Sequence, residues 1–165
     1  MMMKLKIDDL IPYQQQLDQR IFEIHGTDRF STMQARLLAL LVELGEFANE
    51  TRCFKFWSVK GPSEKAVLAE EFGDGLHFFL SLGIDLDDDG SDIEPIFVEG
   101  SGTDKFLALF DAIIIFGRNA NLDTYREAFG YYFGLAHSFG LSEDDIREHY
   151  LKKNEINHTR QDQNY

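Results

Sequence analysis

Cysteine is almost missing from this 165-residue chain, Cys53 being the only one. No intramolecular disulfide can form, and neither a zinc knuckle nor a CxxC redox pair can be built, so any metal must sit on oxygen or imidazole ligands. Proline is scarce, occurring only at Pro12, Pro62 and Pro95, which leaves long stretches free to run as uninterrupted helix. No run reaches the roughly 18 consecutive apolar residues of a membrane span, and Met1 to Ile11 lacks the apolar centre of a secretory signal. A cytoplasmic location is expected. Positive charge is also in deficit: 16 Lys and Arg stand against 29 Asp and Glu, a net charge of −13. Such a chain repels nucleic-acid backbones at long range, so no nucleic-acid or membrane partner is expected. A small triphosphate stays compatible, because carboxylates that hold divalent cations reverse the local field.

The length and a 44% hydrophobic content suit one domain over 1–165 with a sizeable core. Apolar residues recur at three- and four-residue spacing, which predicts an all-α helical bundle. About six helices are expected, at Asp8 to Glu23, Thr32 to Phe56, Ser63 to Leu82, Asp104 to Asn119, Asp123 to Phe139 and Ser142 to Asn157. Ser63 and Ser142 precede acidic first turns, and Gly140 follows Phe139 as a helix stop. From Asp85 to Thr103 glycines, Pro95 and acids break the pattern, which predicts a long surface connection. Within it Asp85, Asp87, Asp89 and Gly90 match the first half of an EF-hand calcium loop, but Ile96 stands where the bidentate Glu belongs.

Residues three apart on a helix lie about 60° apart in projection, so Glu43 and Glu46 share one side of the second helix. Glu71 and Asp74 do the same on the third. Glu71 falls within roughly 60° of Val67, Leu68, Phe78 and Leu82, and Glu43 and Glu46 border the arc of Leu40, Leu44, Phe47 and Phe54. Acids on core-facing stripes need compensation, since an unpaired buried carboxylate costs several kcal/mol and neighbouring ones repel. Basic side chains are few nearby, with Lys55, Lys60 and Lys65 grouped around the turn. Mg²⁺, or Mn²⁺ in its place, suits such an all-oxygen site, which predicts metal ligation by Glu43, Glu46, Glu71 and Asp74. A di-iron bundle would instead carry Glu-x-x-His pairs. His77 reads better as a packed core residue than as a ligand, and Glu50 or Asn49 extends the stripe toward the same site.

The pairs Glu43-Leu-Gly-Glu46 and Glu71-Phe-Gly-Asp74 match the E-x-x-E, E-x-x-D pattern of the all-α nucleoside triphosphate pyrophosphatases, which include MazG-like enzymes, phosphoribosyl-ATP pyrophosphatase and the dimeric dUTPases. The flanking text, Leu41 to Ser58 and Glu71 to Gly83, resembles the dimeric-type dUTPases of Gram-positive bacteria and their phages. Gln14-Gln-Gln-Leu-Asp18 is similar to the family's L-Q-x-x-L-N/D element, and Lys153-Asn154 through Asn157 to Arg160-Gln161 is similar to its K-N-x-x-N-x-x-R-Q segment. The likeness spans nearly the whole chain. Tyr13 replaces the usual Leu, and Asp18 stands where many members have Asn.

The resemblance implies Mg²⁺-dependent hydrolysis of dUTP, with dUDP a further possible substrate, to dUMP and pyrophosphate by metal-activated water. It implies Glu46 as the residue that orients or deprotonates that water, and a homodimer. Lys55, Lys153 and Arg160 are candidates to neutralise phosphate. Trp57, the only tryptophan, is a candidate cover for the nucleotide, and Gln14 and Asp18 are candidates for the uracil edge. Asn154 and Asn157 are candidates for sugar or phosphate. Two alternatives stand beside this reading: a MazG-like house-cleaning pyrophosphatase for dCTP or other nucleotides, and a helical interaction protein without catalysis.

Overall fold

Pro12 lies in the first turn of α1 (Ile11–His25), where its missing N–H costs no hydrogen bond. The helix begins there and not at the expected Asp8. The structure is a computed structural model that describes residues 4–165, and five more helices follow: α2 (Arg29–Thr51), α3 (Lys65–Ile84), α4 (Gly102–Arg118), α5 (Leu122–Ser138) and α6 (Glu143–Asp162). Asp28 with Ser31, Ser101 with Asp104, Asn121 with Thr124 and Ser142 with Asp145 form reciprocal capping boxes, so four helix starts are fixed by side chains that satisfy otherwise orphaned N–H groups. Helix α2 stops short of the predicted Phe56 because Arg52 turns left-handed at φ 59°. The Ser63 hydroxyl does not cap α3; it donates to Glu50 Oε2.

Helix α3 is the centre of the bundle and packs against α1, α2, α5 and α6. Its buried residues include Leu68, Phe72, Leu76, Phe79 and Leu82, and they continue onto Leu40, Leu44 and Phe47 of α2. Small residues let neighbours come close. A Cβ on Gly75 would collide with the Tyr132 hydroxyl, which donates to the Phe72 carbonyl, and the Tyr125 hydroxyl sits equally tight against Gly83 while donating to Phe79 O at 2.8 Å.

The long connection predicted between α3 and α4 is present, but only part of it lies on the surface. Leu5 and Ile93 form an antiparallel bridge with N–H···O distances of 2.9 and 2.8 Å, and Ile96 N donates to Gly130 O of α5 at 2.9 Å. Ile93 and Pro95 are buried. Gly130 and Gly134 permit this, since a side chain on either would meet the backbone of Glu94 or Ile96. Two of the three calcium-like acids are committed to arginines: Asp85 accepts from Arg29 and Arg36, and Asp89 accepts from Arg126, which also binds Asp88.

Gly75→Ala should therefore destabilise the protein by about 1–3 kcal/mol through overpacking, read as a lower urea midpoint. Adding Tyr132→Phe should recover part of the loss. An unchanged midpoint for Gly75→Ala would contradict the tight contact.

Candidate active site

The packing of α2 on α3 brings three acids face to face. Carboxylate oxygens of Glu43, Glu46 and Glu71 lie within 4.8 Å of one another, with Glu43 and Glu71 half-buried and Glu46 exposed. Glu71 Oε2 is buried without a hydrogen-bond partner. Burial first, then the charges of Asp74 and Glu46, push the Glu43 and Glu71 pKa values up to about 7. The fourth predicted ligand, Asp74, differs. Lys153 reaches across from α6 and places Nζ at 3.0 and 3.1 Å from its two oxygens, yet burial still raises the Asp74 pKa. Among the described residues, no ion pair engages Glu43, Glu46 or Glu71.

A cavity of about 420 Å³ opens beside the acids, walled by α1, α2, α3 and α6. Its lining joins charged groups, among them Glu43, Asp74, Lys153 and Arg160, with the polar Gln14, Ser81 and Asn157 and the apolar Leu17, Ile21, Phe22 and Phe78. Charge and an apolar wall in one cavity suit a phosphorylated ligand carrying a flat base. The polar groups are tightly ordered. Gln14 Nε2 donates to Asp18 Oδ1 at 2.8 Å, and Asp18 Oδ2 accepts from Arg29 at 2.9 Å and from the Ser81 hydroxyl at 2.7 Å. Arg36 bonds Ser81 and Asp85, and the Arg29 and Arg36 guanidinium groups lie over Phe22 at 5.4 and 5.8 Å.

Of the candidates read from the sequence, the structure gathers Gln14, Asp18, Glu43, Asp74, Lys153, Asn157 and Arg160 on the cavity, with Glu46 and Glu71 meeting Glu43 beside it. Lys55 and Trp57 are not on its wall: Lys55 Nζ lies 5.8 Å over the Phe54 ring, and Trp57 stands 66% exposed against the edges of Phe54 and Phe56. Asn154 is buried and donates to Tyr13 O at 3.4 Å, a brace between α6 and α1. His77 is core, as its position suggested: it stacks on Tyr150 at 4.2 Å, and burial drives its pKa down to about 3. Arg29, Arg36, Ser81 and Tyr150 escaped the sequence reading. Arg36 left a trace, falling beside Leu37 and Leu40 on the apolar arc of α2, where a charge demands a partner.

Three acids from two packed helices, set beside a cavity with a lysine and an arginine, define a helical hydrolase of a phosphorylated small molecule. A family model described as dUTPase matches residues 6–165, and the chain belongs to that family. It is accordingly a dUTP diphosphatase, of a family that generally uses a divalent metal. A search of curated proteins finds no match.

Raised carboxyl pKa values carry a defined sign. Glu43 and Glu71 bind protons more tightly folded than unfolded, so their contribution is favourable below the unfolded value of 4.5 and is lost as pH rises through about 7. Metal-free protein should lose stability between pH 5 and 8 in urea titrations, and Glu71→Gln should flatten that slope. A slope unaffected by the substitution would contradict the crowding of these acids.

Proposed function

We propose that this enzyme splits dUTP into dUMP and pyrophosphate with Mg²⁺, or Mn²⁺ in its place, held by Glu43, Glu46, Glu71 and Asp74. The observation that carries the reading is the unpaired carboxylate trio with the buried, partnerless Glu71 Oε2. The donor set is all oxygen, the chemistry these hard cations take. When bound, such a cation offsets phosphate charge and lowers the pKa of a nearby water. Glu46, the exposed acid of the trio, orients the attacking water and takes its proton on a carboxylate oxygen. Lys153 and Arg160, on one face of α6, neutralise the phosphates, Arg160 with two oxygens at once. Gln14 and Asp18 meet the uracil edge, and Asn157 the sugar or a phosphate. Lys55 and Trp57 enter this scheme only as residues of an exposed segment after α2 that reaches the nucleotide from outside, and Asn154 as a buried brace.

A homodimer belongs to the same proposal. Leu38 and Val42 on α2 and Leu107 and Ile115 on the adjoining α4 are exposed apolar side chains on neighbouring helices, the kind of surface a second copy covers. The likeness to dimeric-type enzymes of Gram-positive bacteria and phages, within the MazG-like superfamily, supports the same assembly. No helix of the described residues is long and apolar enough to cross a membrane; a cytoplasmic location places the enzyme with its nucleotide pool.

Glu46→Gln should lower dUTP turnover by ~10²-fold or more, as read by pyrophosphate release, with little change in the unfolding midpoint. Chelation should stop the wild-type enzyme and Mg²⁺ should restore it. Undiminished turnover in Glu46→Gln would remove that residue from the chemistry, and a rate indifferent to chelation would overturn the metal.

A further inference from the structure

Arg20, Arg29, Arg36, Arg126 and Arg147 each hold a carboxylate. Arg160 differs: it lines the cavity, and among the described residues no ion pair engages it. Burial raises the Glu43 and Asp74 pKa values, and the Arg160 charge works against that rise in both, which sets the free cation beside the acids. What holds it is the turn that ends α6. Asn164 takes a left-handed φ of 53°, Tyr165 N donates to Arg160 O at 3.0 Å, and Asn164 N donates to Gln161 O at 3.4 Å. This is a Schellman turn, whose geometry brings the residue after the left-handed one back onto the third residue from the helix end. An apolar pair often fills that contact. Here it is a cation over a ring, with the Arg160 guanidinium 4.9 Å from the Tyr165 ring centroid. Stacking uses the face of the guanidinium and leaves the N–H groups at its edges free for oxygen ligands. The turn is itself docked on α1: Arg20 donates to His158 O at 3.1 Å and pairs with Asp162, and His25 Nε2 pairs with Gln161 Oε1 at 3.1 Å.

Resting on the dUTP reading above, we propose that Tyr165 is the positioning residue for Arg160, holding the guanidinium plane at the cavity so that its edges meet the phosphates of the nucleotide. The ring acts through Arg160 and not on the phosphates themselves. An unstacked arginine gives up rotamer freedom when it grips a ligand, and a stack that already fixes its plane removes part of that loss. The benefit falls on phosphate binding and leaves the nucleoside end of the ligand untouched.

Calorimetric binding of the non-hydrolysable imido analogue of dUTP with Mg²⁺, set against deoxyuridine titrated by NMR, separates this role from a structural one. Tyr165→Ala should weaken the analogue about 2–5-fold, the worth of an exposed cation–π stack, and should leave both deoxyuridine binding and the urea midpoint unchanged. Tyr165→Phe keeps the ring face and should bind as the wild type does. In an Arg160→Met background, Tyr165→Ala should cost nothing further. Ring-current shifts of the Arg160 side chain should disappear in Tyr165→Ala and persist in Tyr165→Phe. Wild-type affinity for the analogue in Tyr165→Ala would overturn the proposal, as would a parallel loss of deoxyuridine. So would an equal loss in Tyr165→Phe, which would place the hydroxyl on the phosphates, or an equal loss in the absence of Arg160. Binding of neither ligand to the wild type would overturn the dUTP reading itself, while the ring-current shifts report separately on the stack.

Discussion

Mutual repulsion among Glu43, Glu46 and Glu71 is the constraint around which this molecule is arranged. Their positions are set by apolar packing of α2 on α3, where Leu40, Leu44 and Phe47 meet Leu68, Phe72 and Leu76. That packing is extensive enough to hold three carboxylates within 4.8 Å. The backbone cannot relax the repulsion without opening the core. Relief must come from a proton or from a cation, and the shift of two of these acids to about 7 is the protonic form of it.

Elsewhere the protein relieves buried acids with its own side chains. Asp18 is bound by Arg29, Asp85 by Arg29 and Arg36, Asp88 by Arg126, and Asp74 by Lys153. In a chain with 29 acids and 16 basic residues, the bases are placed where structure needs them and withheld from the trio. That contrast locates the cation more sharply than clustering alone, since clustered acids are common in a protein of this charge. Asp74 stands between the two solutions, paired to Lys153 and still felt by Glu43 and Glu71.

The helical class and the two acidic pairs were legible in the sequence because both depend on local spacing: three- and four-residue periodicity writes the helices, and i, i+3 writes each pair. Three of the pair members were legible as one cluster because their helices are consecutive and antiparallel neighbours are the simplest packing. The pairing of Asp74 was not, since Lys153 lies 79 positions away on α6. Nor was the fate of Asp85 and Asp89, which resemble calcium ligands by local spacing but are claimed by arginines from distant helices. The orientation of the Gln14 amide was out of reach for the same reason. It depends on Asp18, one turn away, but also on Ser81 and Tyr150, whose approach only the folded bundle sets.

Exchange of protons for a cation at the trio is directly measurable. Calorimetric titration of Mn²⁺ into metal-free protein at pH 7, repeated in buffers of different ionisation heat, measures both events. With Glu43 and Glu71 each near half-protonation at about 7, saturable binding should release about one proton, and Glu71→Gln should diminish both. Absence of binding, or binding with no proton released, would contradict it.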